Sequence, residues 1–138
     1  MRIPGAAAAK KGLILVAAAG NDGPKAAPLY PAAYAEVIAV SAVDEQARIY
    51  DKAASGPYVA LAAPGVDVLV AAPRGAYDLS TGTSVACAEV SGIVALLLEK
   101  RPGLSAAALR KLLRDTAKPL AGQHGLGEAD ALAAVERN

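Results

Sequence analysis

The chain has no phenylalanine and no tryptophan, and its aromatic content, 4% of 138 residues, consists of five tyrosines. A core made from it must be packed with small and aliphatic side chains, alanine above all. One cysteine, Cys87, excludes an internal disulfide, and one histidine, His124, leaves too few soft ligands for a zinc site. A phosphate-binding loop, a dinucleotide fingerprint and a His-Glu-x-x-His motif are all missing, so no cofactor or metal is implied. Fourteen basic residues against thirteen acidic ones leave a net charge of +1, too little field to gather nucleic acid or an anionic membrane surface. Long apolar runs are missing too: Leu13–Ala19 and Ile93–Leu98 fall well short of the roughly 18 residues that span a bilayer. Arg2 is followed by Pro4 and alanines instead of a leucine-rich stretch, a poor secretory leader that leaves the compartment open.

What is present fits a soluble, folded chain. Hydrophobic residues make up 54% and charged residues 20%, enough apolar area to offset the entropy of ordering. The length suits one domain, at roughly 150 residues each. Ala6–Lys11 reads as the end of a helix, with Gly12 placed to cap it. Leu13–Ala18 is a short continuous apolar run, as in a strand buried on both faces of a parallel sheet, and Gly20–Pro24 ends it in a loop. A second such run is Val37–Val43, and extended pieces follow at Val59–Ala62 and Val66–Ala71. From Ser84 the apolar positions Ala86, Val90, Ile93, Val94, Leu97 and Leu98 recur at helical spacing until Arg101-Pro102-Gly103. That helix is apolar nearly all round and is expected to be internal. Ser105 is placed to cap another helix with a Leu109, Leu112, Leu113 stripe, and a last helix is expected over Ala129–Arg137. Strands alternating with helices indicate an α/β fold with a mainly parallel sheet.

Two positions could carry chemistry. Ser84 stands at the first turn of the apolar helix, just after a glycine, where it is either a cap or a nucleophile whose own N–H and helix dipole point at a developing oxyanion. Asn21, beyond the end of a parallel strand, is either ordinary turn chemistry or an amide donor to the same oxyanion. Together they describe two parts of one hydrolytic site.

The residues around them resemble, in order and spacing, the C-terminal part of a subtilisin-like serine peptidase, a subtilase. The matching segments are Val16–Gly23, Tyr30–Ala32, Val37–Val40, Ala63–Val66, Gly82–Ala86 and Gly125–Gly127, covering about residues 12–135. The resemblance implies a three-layer α/β/α fold of which only the C-terminal part is present, so that residues 1–138 make one partial catalytic domain. It implies Ser84 as the acylated nucleophile and Asn21 as oxyanion donor. It also implies a substrate wall of Ala17, Ala18, Ala19 and Gly20, with Tyr30 and Pro31 near its end and Gly82 and Thr83 beside the serine. A peptide or protein substrate, the missing N-terminal half as partner and a secreted or periplasmic setting are further implications.

Departures from the family pattern set limits. The family's Asp-Ser/Thr-Gly and His-Gly-Thr motifs are not in this chain, and Ala88-Glu89 stands where the family commonly has Pro-His. Without an adjacent base a serine hydroxyl is a weak nucleophile, and losing the base costs about 10²- to 10⁴-fold in rate. The chain alone is therefore expected to be inactive, with Leu13–Ala18 as an unpaired sheet edge. The alternative is a noncatalytic subtilase-like module that binds peptides or a partner. The order Ser84, Asp115, His124 also matches that of α/β-hydrolases, but the polar Asp78–Thr81 stretch does not supply the strand their serine turn needs. Cys87 reads as small apolar packing, and Arg110, Lys111, Arg114 and Lys118 as a solvated helix face.

Overall fold

A computed structural model describes residues 4–123 and 125–137. The chain runs α1 (Pro4–Lys10), β1 (Leu15–Ala18), β2 (Val37–Val43), β3 (Val59–Pro64), β4 (Val68–Ala72), β5 (Ala76–Ser80), α2 (Thr83–Lys100), α3 (Ala106–Thr116), β6 (Lys118–Pro119), β7 (Gly127–Glu128) and α4 (Ala131–Glu136). Five strands form one sheet in the order β1-β2-β3-β7-β6. All neighbours in it are parallel except β6 against β7. The chain thus has the expected α/β architecture, a mainly parallel sheet flanked by helices.

Glycine ends α1 as the sequence suggests. Gly12, at φ +82°, donates to Ala9 O (2.9 Å) and Leu13 N–H to Ala8 O (3.2 Å), the paired bonds of a left-handed helix stop. The turn delays the strand to Leu15, two residues later than the apolar run alone suggests. β2 is buried at every position, Ser41 included, as its largely apolar run requires, whereas β1 is only half-buried.

The serine-bearing helix departs from expectation. α2 buries Ala86, Val90, Val94 and Leu97 against Ile38, Val40, Leu61 and Ala63, but Ala88 and Ala95 are exposed and Leu96 is 53% exposed. Its apolar residues go all round, yet the sheet covers one side only.

α3 matches its reading: Ser105 Oγ accepts from Ala108 N–H (3.2 Å), Leu109 and Leu113 are fully buried and Leu112 packs beside them. α4 is shorter than expected because Asp130 caps its start, accepting from Ala133 N–H (2.9 Å), while Gly127 and Glu128 join the sheet. Basic side chains tie these helices together. Lys100 donates to Val135 O (2.6 Å), Arg101 to Ala134 O (2.8 Å) and Arg137 O (3.0 Å), and Arg137 to Asp115 O (3.1 Å). Among the described residues no helix is long and apolar enough to cross a membrane.

Candidate active site

The site is assembled where the end of β1 meets the start of α2. Gly82 precedes the helix at φ +157°, and its N–H donates to Gly65 O (2.8 Å), fastening the helix entry to the turn after β3. No side chain fits at Gly65: a Cβ there would lie 2.7 Å from Ala42 Cβ and 2.8 Å from Gly82 O. The contact holds the Gly82 turn hard against the sheet, which places Ser84 in the first helical turn, exposed. Its N–H belongs to the turn that has no intrahelical acceptor.

Thr83 connects the serine to the strand. It is fully buried, and its N–H (2.9 Å) and hydroxyl (3.1 Å) both donate to Asn21 Oδ1, while the hydroxyl accepts from Gly20 N–H (3.2 Å). A backbone N–H can only donate, so the atom facing it is the carboxamide oxygen and the amide nitrogen is turned away from Thr83. Asn21 itself is exposed. Asn21 Nδ2 and Ser84 Oγ converge on one small space: the point a Gly82 Cβ would occupy lies 3.6 Å from the first and 3.3 Å from the second. An alanine at 82 would fill that space. The Asn21 amide donor and the Ser84 hydroxyl face it, with Asn21 Oδ1 at 3.8 Å.

The other residues singled out from sequence fall nearby. Ala17 and Ala18 are half-buried on β1, whereas Ala19 is fully buried, its N–H donating to Val40 O (2.8 Å) and its O accepting from the Tyr58 hydroxyl (3.3 Å). Burial pushes the Tyr58 phenol above its ordinary pKa, so it remains a donor there. Gly20, at φ +118°, has its O bonded by Ala54 N–H (2.9 Å), and a Cβ on it would meet Leu29 Cδ1 at 2.5 Å. Tyr30 and Pro31, joined by a cis peptide bond, are exposed, and the Tyr30 ring lies 4.5 Å from that of Tyr34.

Sequence reasoning missed three contributors: the Thr83 hub that aims Asn21, the Gly65 carbonyl under Gly82 and the Tyr58 hydroxyl on Ala19. The glycines of Ala-Pro-Gly and Gly-Thr-Ser carried the signal for the second. Nothing in the spacing marked Tyr58.

Among the described residues the Ser84 hydroxyl makes no hydrogen bond to a base. His124 lies outside the described residues. Asp115 is an ion-pair partner of Lys111, whose hydrogen bond holds its carboxyl below the ordinary value. It lines a cavity of about 640 Å³ with Ala35, Ala106 and Arg110 that neither Ser84 nor Asn21 reaches. Cys87, half-buried three residues past Ser84, has its thiol pushed up by burial and is not a reactive thiolate. Among the described residues no group of three or more His, Cys, Asp or Glu side chains could hold a metal ion.

Comparison with known proteins gives a consistent picture. The profile of the Subtilase family, peptidase S8, matches residues 2–131. The halolysin-like extracellular serine protease Nep of Natrialba magadii is 43% identical over 127 residues, covering 90% of this chain and 23% of that protein. Subtilisin DY of Bacillus licheniformis is 41% identical over 112 residues, covering 79% of this chain and 41% of its own length. The crystal structure of fervidolysin from Fervidobacterium pennivorans, a keratinolytic enzyme related to subtilisin, superposes with a TM-score of 0.85 at 30% identity, covering 95% of this chain and 23% of that one. The chain therefore spans about a quarter to two fifths of the curated relatives named.

Proposed function

The chain belongs to the subtilase family of serine peptidases, and we propose that it is the nucleophile-bearing part of a serine endopeptidase catalytic domain. The observation that carries this reading is the convergence of Ser84 Oγ and Asn21 Nδ2 on the space above Gly82. In the proposed reaction Ser84 Oγ bonds to the scissile carbonyl carbon of a peptide, and the carbonyl electron pair moves onto oxygen. Asn21 Nδ2–H and Ser84 N–H donate to that oxyanion. Its collapse expels the amine and leaves an ester on Ser84, which water cleaves to the acid and free serine. Thr83 keeps the Asn21 amide aimed, and the wall along which the substrate lies is offered by the half-buried Ala17 and Ala18 and the exposed Tyr30 and Pro31, with the buried Ala19, Gly20, Gly82 and Thr83 shaping it from behind.

The proton from Ser84 needs a base that none of the described residues places beside it. We assign that role to an imidazole, oriented by a carboxylate, on further polypeptide of the same domain type, and expect the lone chain to be inactive as a peptidase. The extracellular relative named above supports a secreted setting. The free Ser84 hydroxyl favours one second reading, a noncatalytic module that binds peptides along the same wall.

A fluorophosphonate probe separates the two readings. Alone, the chain should label about 10²- to 10⁴-fold more slowly than after addition of a subtilase segment bearing the Asp and His motifs. Ser84→Ala should abolish labelling in both cases. Failure of the added segment to restore labelling or peptide cleavage favours the noncatalytic module, and rapid labelling with cleavage by the chain alone refutes the expected inactivity.

A further inference from the structure

We propose that Asp22-Gly23 is a site of self-modification, at which Asp22 passes through a cyclic imide to isoaspartate and thereby unhooks Asn21 from Thr83. No other Asp-Gly pair, and no Asn-Gly pair, occurs in the sequence. In the first step Gly23 N bonds to Asp22 Cγ, and the side-chain hydroxyl leaves as water with the amide proton. Water then opens the five-membered ring at either carbonyl. Opening at the original backbone carbonyl frees an α-carboxylate and leaves the main chain running through Cγ, one methylene longer and unchanged in composition. The reaction consumes no other reagent. Its usual obstacle is the side chain on the attacking residue, and glycine has none. Nothing lies within 4 Å of where a Gly23 Cβ would stand, and Asp22 is exposed and in no ion pair among the described residues.

The effect on Asn21 follows from how the loop is fastened. Ala54 N–H donates to Gly20 O (2.9 Å) on one side of the pair, and the Ser55 hydroxyl to Pro24 O (2.8 Å) on the other. Between them Gly23 N–H donates to Lys52 O (2.8 Å), which holds the attacking nitrogen in check. Lys52 is itself exposed, so this bond opens by local motion of the surface loop, without unfolding of the core. An added methylene between the two anchored carbonyls has to be taken up by residues 21–23. Asn21 then swings away, and its Oδ1 leaves Thr83 N–H (2.9 Å) and the Thr83 hydroxyl (3.1 Å). The modification needs no peptidase activity. Only its cost to the oxyanion donor rests on the function proposed above.

The test keeps the whole chain in warm neutral buffer and follows it with protein isoaspartyl methyltransferase and peptide mapping. Isoaspartate should accumulate at residue 22, more slowly than in the denatured chain, where Gly23 N–H is free of Lys52. Asp22→Glu, which can close only a six-membered ring, should accumulate none over the same interval. In the isoaspartyl fraction the Thr83 amide should lose its protection from hydrogen exchange, while Val90 and Val94 inside α2 keep theirs. After addition of the complementing segment, the fraction of chain that labels slowly at Ser84 should equal the isoaspartyl fraction. Four results would each overturn the proposal: no isoaspartate in the folded chain, isoaspartate at another residue alone, a Thr83 amide still protected in the modified chain, or modified chain that labels as fast as fresh chain. If complementation fails with fresh chain, the peptidase reading falls, and mapping and exchange still decide this one.

Discussion

At one end of the sheet, β1 finishes in a cluster of neutral hydrogen bonds: Gly20 to Thr83, Thr83 to Asn21, Ala54 to Gly20, Tyr58 to Ala19. At the other end, β6 is two residues long and held by charge, with Lys118 paired to Asp130 (3.2 Å) and Asp130 capping α4. Both ends must keep polar groups satisfied at the limit of an apolar sheet. The neutral solution sits where the candidate site residues gather, and it fixes the direction of the Asn21 amide without using an ionised group. The charged solution sits away from Ser84 and depends on pH and salt.

The sharpest way to break this contrast is to remove the core both ends share. Leu97→Ala, at a fully buried position on α2, should cost about 2–5 kcal/mol in denaturant unfolding. Gly65→Ala acts at the β1 end only; with a methyl forced against Ala42 and Gly82 O it should cost about 1–3 kcal/mol. Thr83→Val keeps the shape but removes the hydroxyl, leaving Gly20 N–H and one bond to Asn21 Oδ1 unmet, and should cost about 1–3 kcal/mol. Its loss should be the same at pH 7 and pH 4, since no titrating group is involved.

The β6 end should behave otherwise. The Ala133 N–H and then Lys118 hold the Asp130 carboxyl below its ordinary value of 3.8. Its stabilisation is therefore present above that value and lost as pH falls through the lower folded one. Asp130→Asn should shift the melting temperature at pH 7 less than Thr83→Val does, and should stop mattering in strong acid. Smallest of all, Glu89→Gln should raise the melting temperature at pH 7. Burial first, then Glu128, pushes the Glu89 carboxyl above 4.5, so the fold favours the protonated form, an advantage present below that value and lost as pH rises through the folded pKa.

How much of this could be read from sequence depended on the range of the interaction. Val37–Val43 declared itself a central strand because six apolar residues in seven, broken only by Ser41, fit a strand buried on both faces in an α/β chain, and Ser105 declared a helix start because its cap is a bond three residues long. The hairpin of β4 and β5 did not. Asp78 interrupts β5, and the turn joining the strands passes through Arg74 at φ +64°, which the sequence does not mark. β6 and β7 are pairs of residues, β7 set by contact with β3 and β6 by contact with β7, below the length at which periodicity exists. Of the candidate site, Ser84 and Asn21 were singled out from their local turns and family resemblance. The Thr83 bonds that aim the amide span 62 and 63 residues, and only the fold makes them neighbours.

The clamp on α4 has a consequence in time. A helix of six residues has too few bonds to persist by itself, yet two of its carbonyls, at Ala134 and Val135, and that of the capping Arg137 are held by Lys100 and Arg101 from the end of α2. Its amides should therefore not exchange with solvent at the fast rate of a fraying terminus. They should open together with the last turn of α2, as one cooperative unit, and Arg101→Ala should release the short helix onto a faster clock of its own.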